Sequence, residues 1–169
     1  LPAGRLRERP RAAARAGVIL VGGLAGSNDA RYAQAEALLG PGRTFRLERQ
    51  AAGFVSPTGE STTTPASPFL LAAIARPERF RQDVQAAVGL VVGEAFYRDH
   101  HAFSPTELAR VCAQAQSAGA DAIVTTSKDI ERVDPGGLHL PLVVFRTRAV
   151  VDDAARFRTL LLHAVGRAA

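Results

Sequence analysis

The 169-residue chain is 47% hydrophobic and 22% charged, which excludes an intrinsically disordered protein and leaves enough apolar surface for a core. Cys112 is the single cysteine, so a disulfide framework and a cysteine-rich zinc site are excluded, and no apolar run reaches membrane-spanning length. The net charge is +5 and the pI about 10.6, with 20 arginines and one lysine, Lys128. Guanidinium groups suit oxyanions and anionic surfaces, but these arginines are scattered and aromatics make up only 6%, so no nucleic-acid stacking platform is expected.

There is no methionine, and the chain opens Leu1-Pro2-Ala3-Gly4, so a longer translated product is expected to begin upstream. Arg5 to Ala16 is rich in arginine and alanine and reads as partly helical. Residues 17–22 are a short apolar run that reads as a buried strand. If its neighbours lie upstream, that strand is expected to lack sheet partners and leave an exposed edge. The glycine-rich turn after it, Gly22 to Ser27, matches neither dinucleotide nor P-loop spacing and reads as a flexible turn.

Residues 44–49 alternate as a half-exposed strand does. In Ser56 to Pro68, 11 of 13 residues are Ser, Thr, Pro or Gly, a linker-like composition at which the main boundary is expected. The pattern then becomes regular. Strands are expected at 69–75, 89–96, 121–125 and 141–145. Helices are expected at 77–88, from Ser104-Pro105-Thr106-Glu107 to Gly119, and at 153–165, the second opened by a capping box with proline at its first position. This alternation predicts an α/β fold: a mainly parallel sheet flanked by helices in three layers.

Ligands of open α/β sheets gather beyond the carboxyl ends of the strands, and three polar clusters fall at such ends. Arg76 follows the first strand of the regular half, Asp99-His100-His101 the second, and Thr125-Thr126-Ser127-Lys128-Asp129 the third. An imidazole can take a proton from a hydroxyl while a neighbouring carboxylate orients it. Asp99 and His100 can converge only if the chain leaves the strand there. The same triplet also reads as a polar loop capping the next helix. Thr126, Lys128 and Asp129 read either as phosphate ligands or as a helix cap with a surface ion pair. No spacing supports a metal site.

Taken together, these stretches resemble the tetraacyldisaccharide 4'-kinase family, the lipid A kinases of Gram-negative bacteria. Leu1 to Glu8 is similar to its LPAG-x-LRE-P segment, with Arg5 where proline is usual and an extra Arg9 before Pro10. Ile74-Ala75-Arg76-Pro77-Glu78-Arg79-Phe80 is similar to its I-(A/G)-x-P-x-R-F stretch, and Asp99-His100-His101-x-Phe103 to its D-H-(H/Y)-x-(F/Y) motif. Thr126-Ser127-Lys128-Asp129 follows its T-E-K-D, with Ser127 in place of glutamate.

The resemblance implies transfer of the ATP γ-phosphoryl group to the 4'-hydroxyl of the lipid A disaccharide precursor, with ATP and Mg²⁺ as cofactors. It implies His100 as the group that helps deprotonate the sugar hydroxyl and Asp99 as its orienter. Arg7 and Glu8 would lie near the ATP phosphates and Mg²⁺, and Arg76, Thr126, Lys128 and Asp129 would contact phosphate or substrate. No G-x-x-x-x-G-K loop occurs in the chain. The resemblance therefore implies the C-terminal portion of such an enzyme: residues 1–40 the tail of the kinase core, 41–67 a β linker with the Ser/Thr/Pro-rich loop, and 68–169 a C-terminal α/β domain. The missing P-loop half and the anionic inner-membrane surface are the expected partners, on the cytoplasmic face, and the chain alone is expected to be soluble and to transfer no phosphate. The competing expectation is a stand-alone, non-catalytic α/β module that binds a sugar phosphate or an anionic lipid head group.

Overall fold

The computed structural model describes residues 10–22 and 29–166. The strands are β1 Ile19–Gly22, β2 Thr44–Val55, β3 Pro68–Ala72, β4 Gly93–Phe96, β5 Ala122–Thr126 and β6 Leu142–Val151. The α-helices are α1 Asp29–Leu39, α2 Pro77–Val88, α3 Pro105–Ser117 and α4 Ala154–Gly166, and a 3-10 helix spans Pro10–Arg15. Hydrogen bonding orders the strands β1-β2-β6-β5-β3-β4 in a mixed, mostly parallel sheet, as the alternation predicts.

Two compact units divide the chain: Leu1–Gln50 with Ala149–Ala169, and Ala51–Arg148. This division differs from a boundary at the Ser/Thr/Pro-rich loop. β2 and β6 are long strands that run through both units, and α4 follows β6 back into the first. The loop itself belongs to the second unit and is ordered by its own hydrogen bonds. Ser56 N–H donates to the Glu60 carbonyl at 2.8 Å, Val55 and Ser61 form an antiparallel bridge, and the Asp121 carboxylate accepts from Ala66 N–H at 2.6 Å and Ser67 N–H at 3.1 Å.

The second unit is built on strand alternation. Phe69 and Leu71 of β3, Ile123 of β5 and Leu142 of β6 join Leu108, Val111, Cys112 and Ala115 of α3 in one core cluster. Their neighbours Leu70, Ala72, Val124, Val143 and Phe145 join Phe80 and Val84 of α2 in the other. A strand buried on both faces reads as an unbroken apolar run, which is why Phe69-Leu70-Leu71-Ala72 shows no polar alternation. Val84 and Val111 are fully buried, each contributing roughly 1.5–3 kcal/mol of transfer free energy.

α2 carries Pro77 in its first turn and stops at Gly89, whose φ of 83° and N–H bond to the Gln85 carbonyl at 2.8 Å make a left-handed cap that glycine adopts without strain. β3 pairs in parallel with both β4 and β5. Gly93 opens β4 where a Cβ would come within 2.5 Å of the Phe69 ring, so only glycine lets the edge strand close on its neighbour.

In the first unit β1 pairs in parallel with β2, Ile19 opposite Thr44, which corrects the expectation that this strand lacks a sheet partner. The Thr44–Leu47 segment of β2 fills that role, and the other side of β1 ends the strand order. α1 was not anticipated because its sequence is alanine-rich, with little contrast between an apolar and a polar face. The Arg43 guanidinium binds the carbonyls of Ala16 at 2.6 Å, Leu39 at 2.9 Å and Ala14 at 3.2 Å, satisfying the ends of two helices. Phe45 packs edge-on against Phe157 of α4 at 5.4 Å, with the Arg156 guanidinium 4.5 Å from its ring centroid.

Candidate active site

β3 leads into α2 on one face of the sheet, whereas β4 leads into α3 and β5 into a 3-10 turn on the other. Connections that diverge in this way open a crevice at the carboxyl ends of the strands. Two of the residue clusters expected from sequence are joined at this end, and Arg76 stands after β3.

β4 stops at Phe96, and the chain turns at Asp99 and His100. His100 adopts φ 65°, and among the described residues it is the only non-glycine in the left-handed region. Such a conformation costs an L-residue about 1–2 kcal/mol and is held by its surroundings. The turn brings the two side chains together as neighbours on a regular strand could not be: His100 Nε2 lies 3.7 Å from Asp99 Oδ2. The other oxygen, Oδ1, accepts from Lys128 Nζ at 2.9 Å. That ammonium, together with His100, holds the Asp99 carboxyl below its usual range. The His100 side chain is 73% exposed, so its ring is open to a ligand.

Lys128 pairs away from its own cluster. Its partner is Asp99, across the loops, and not the adjacent Asp129. Asp129 has no solvent exposure. Its Oδ2 accepts from Ala73 N–H at 3.0 Å and from the Thr126 hydroxyl at 2.9 Å, and Arg132 Nη2 lies 3.5 Å from Oδ1. Asp129 therefore faces protein, and Thr126 spends its hydroxyl proton on it. Arg76 stands at the N-cap of α2, exposed, with no side-chain capping bond. Arg7 and Glu8 lie outside the described residues, as does the turn from Gly23 to Asn28.

His101 points elsewhere. Its ring stacks on Tyr97 at 4.7 Å and meets Phe103 edge-on at 5.5 Å, and its Nε2 lies 3.1 Å from Glu107 Oε1. Glu107 is also half of the α3 capping box: its Oε2 accepts from Ser104 N–H at 2.9 Å and from the Ser104 hydroxyl at 2.8 Å. These donors and His101 pull the Glu107 carboxyl down to about 2. The capping box was legible in Ser104-x-x-Glu107. Its link to His101 was not, because it depends on which way the loop folds.

Among the described residues no group of three His, Cys, Asp or Glu side chains gathers to hold a metal ion. The arrangement offers instead an exposed imidazole, a carboxylate that stays ionised beside it, and a cation that keeps the carboxylate in place.

The sequence profile of the tetraacyldisaccharide-1-P 4'-kinase family matches residues 1–166. The chain belongs to that family. It is 33% identical over 154 residues to tetraacyldisaccharide 4'-kinase of Methylorubrum populi, covering 90% of this chain and 43% of that protein. It is 31% identical over 170 residues to the enzyme of Rhodopseudomonas palustris, covering 99% and 48%. The chain thus spans less than half the length of these relatives. A crystal structure of LpxK from Aquifex aeolicus in complex with ATP shares the fold, with a TM-score of 0.63 and 17% identity over 96% of this chain and 47% of that one.

Proposed function

We propose that this chain supplies the acceptor-facing part of an enzyme that transfers the γ-phosphoryl group of ATP to the 4'-hydroxyl of the lipid A disaccharide precursor. The observation that carries this reading is the left-handed turn that sets the exposed His100 imidazole beside the Asp99 carboxylate. Phosphoryl transfer needs little covalent chemistry from the protein. It needs the acceptor oxygen positioned, its proton removed and the spreading negative charge balanced.

In this reading His100 takes the hydroxyl proton. Asp99 is a poor base, because Lys128 depresses its pKa, but it remains ionised and stabilises the imidazolium that forms. Arg76 and Lys128 are the cations available at the same end of the sheet for phosphate or substrate. ATP and Mg²⁺ belong with Arg7 and Glu8, and when bound the metal supplies charge neutralisation of the transferring phosphoryl group. The anionic inner-membrane surface is the proposed setting, supported by the +5 charge of the chain.

The test joins this chain behind the N-terminal portion of the Methylorubrum populi relative and measures phosphate transfer from labelled ATP to tetraacyldisaccharide 1-phosphate. The fusion is expected to be active and the 169-residue chain alone inactive. His100→Ala in the fusion is expected to lower kcat by about 10²–10⁴-fold, the usual contribution of a positioned general base. Full activity of His100→Ala would overturn the assignment of His100. A folded fusion that binds the acceptor without turnover would favour the non-catalytic module.

A further inference from the structure

We infer that Asp129 is a positioning residue that holds the Asp99–His100 turn in its left-handed conformation through two separate connections. This rests on the reading that the turn is the reactive element, but its evidence is geometric. Asp129 is fully buried, yet no residue of the Asp99–His100 pair touches it directly in the hydrogen-bond network. It acts through intermediates.

The first connection passes through Ala73, just beyond β3. Asp129 Oδ2 accepts from Ala73 N–H at 3.0 Å, and the carbonyl of the same residue accepts from His100 N–H at 3.2 Å. One peptide segment is therefore held by the buried carboxylate on one side and itself holds His100 on the other. The second is a looser one, an ion contact through Arg132 to an Asp129 Oδ1 that accepts no hydrogen bond. Arg132 Nη2 lies 3.5 Å from Asp129 Oδ1, and its Nη1 donates to the His101 carbonyl at 3.4 Å. His100 is gripped at its own N–H and at the carbonyl of the residue after it.

Asp129 is in turn anchored to the end of β5. Its N–H donates to Thr126 Oγ1 at 3.1 Å and to the Thr126 carbonyl at 3.1 Å, while the Thr126 hydroxyl donates to Oδ2. The segment after β3 and the end of β5 thus meet on one side chain, and the turn after β4 is reached through Ala73 and Arg132. A buried carboxylate is a demanding choice for a purely structural tie, since it must be desolvated. It is suited to this one because charge-assisted bonds are shorter and stronger than neutral ones, and a strained φ persists only where the surroundings over-determine it. The adjacent Lys128 reaches Asp99 from the same turn, so the segment that fixes His100 from below also fixes its carboxylate partner.

The test is residue-resolved amide hydrogen exchange on the 169-residue chain, which needs no turnover and so stands or falls apart from the kinase reading. Asp129→Asn keeps the shape and one acceptor oxygen but removes the charge. Exchange at Ala73 and His100 is expected to speed up by about tenfold or more, with the His100 ring signals shifted, while Val143 and Phe145 of β6 keep their protection. Equal acceleration at all four amides would show a general stabiliser and overturn the proposal, as would unchanged exchange at His100. If Asp129→Asn does not fold, Arg132→Gln reads the second connection alone: a selective change in the His100 and His101 signals supports the proposal, and no change overturns it.

Discussion

Lys128 Nζ and Asp99 Oδ1 are 2.9 Å apart although 29 residues separate them in the chain. The pair ties the turn after β4 to the turn after β5, and its consequence is electrostatic. The Asp99 carboxyl is held below its usual range first by the bond to this ammonium, and the nearby His100 acts in the same direction. Replacing Lys128 with Met should raise the Asp99 titration midpoint toward the ordinary carboxylate value, read by carboxyl carbon NMR. Exposed ion pairs contribute little to stability, so Tm should stay nearly constant. A large drop in Tm with an unmoved Asp99 midpoint would contradict this account of the pair.

Glu107 gives a defined acid response. Its carboxyl is lowered from 4.5 to about 2 by the Ser104 N–H, the Ser104 hydroxyl and His101, in that order. A group whose folded pKa is depressed contributes stability that is present above its unfolded pKa and lost as pH falls through the folded value. The window therefore runs from about pH 4.5 down to about pH 2. Glutamine at position 107 can complete the capping box without titrating, so Glu107→Gln should flatten the acid limb of a Tm-against-pH curve in that window. Ser104→Ala should cost about 1 kcal/mol of stability at neutral pH, measured by denaturant unfolding.

The backbone of His100 separates folding from chemistry. At φ 65° glycine is unstrained, a β-branched residue strongly disfavoured. His100→Gly should keep stability within about 1 kcal/mol of the native chain, because strain relief offsets the added freedom of the unfolded state. His100→Val should lose about 1–3 kcal/mol. Equal stability of the two variants would mean that the turn relaxes out of the left-handed region at no cost.

Much of the second unit was legible because its signals are local. Pro77, Phe80, Val84 and Gly89 mark a helix start, a stripe and a stop, and the helix runs over Pro77–Val88 as expected. Ser104 and Glu107 announced α3 in the same way. Strand ends were read less well. β4 begins only at Gly93, where a strand over 89–96 is expected, and β6 runs past the expected 141–145 to Val151 through the exposed Arg146, Thr147 and Arg148. α1 carried too little contrast between its faces to be seen.

The amino-acid sequence by itself determined the α/β class, the family and the polar clusters at the strand ends, because periodicity, capping residues and motif order are properties of neighbouring residues. Only the tertiary structure decided what those clusters do to one another. His100 and Asp99 converge because of a left-handed turn, Lys128 pairs across loops with Asp99, and Asp129 turns inward to bond Ala73 beyond β3 and Thr126 of β5. Each of these joins residues distant in the chain, or depends on a backbone angle that the local sequence disfavours. Such relationships arise when packed strands bring their loops together, and the order of residues along the chain does not encode them locally.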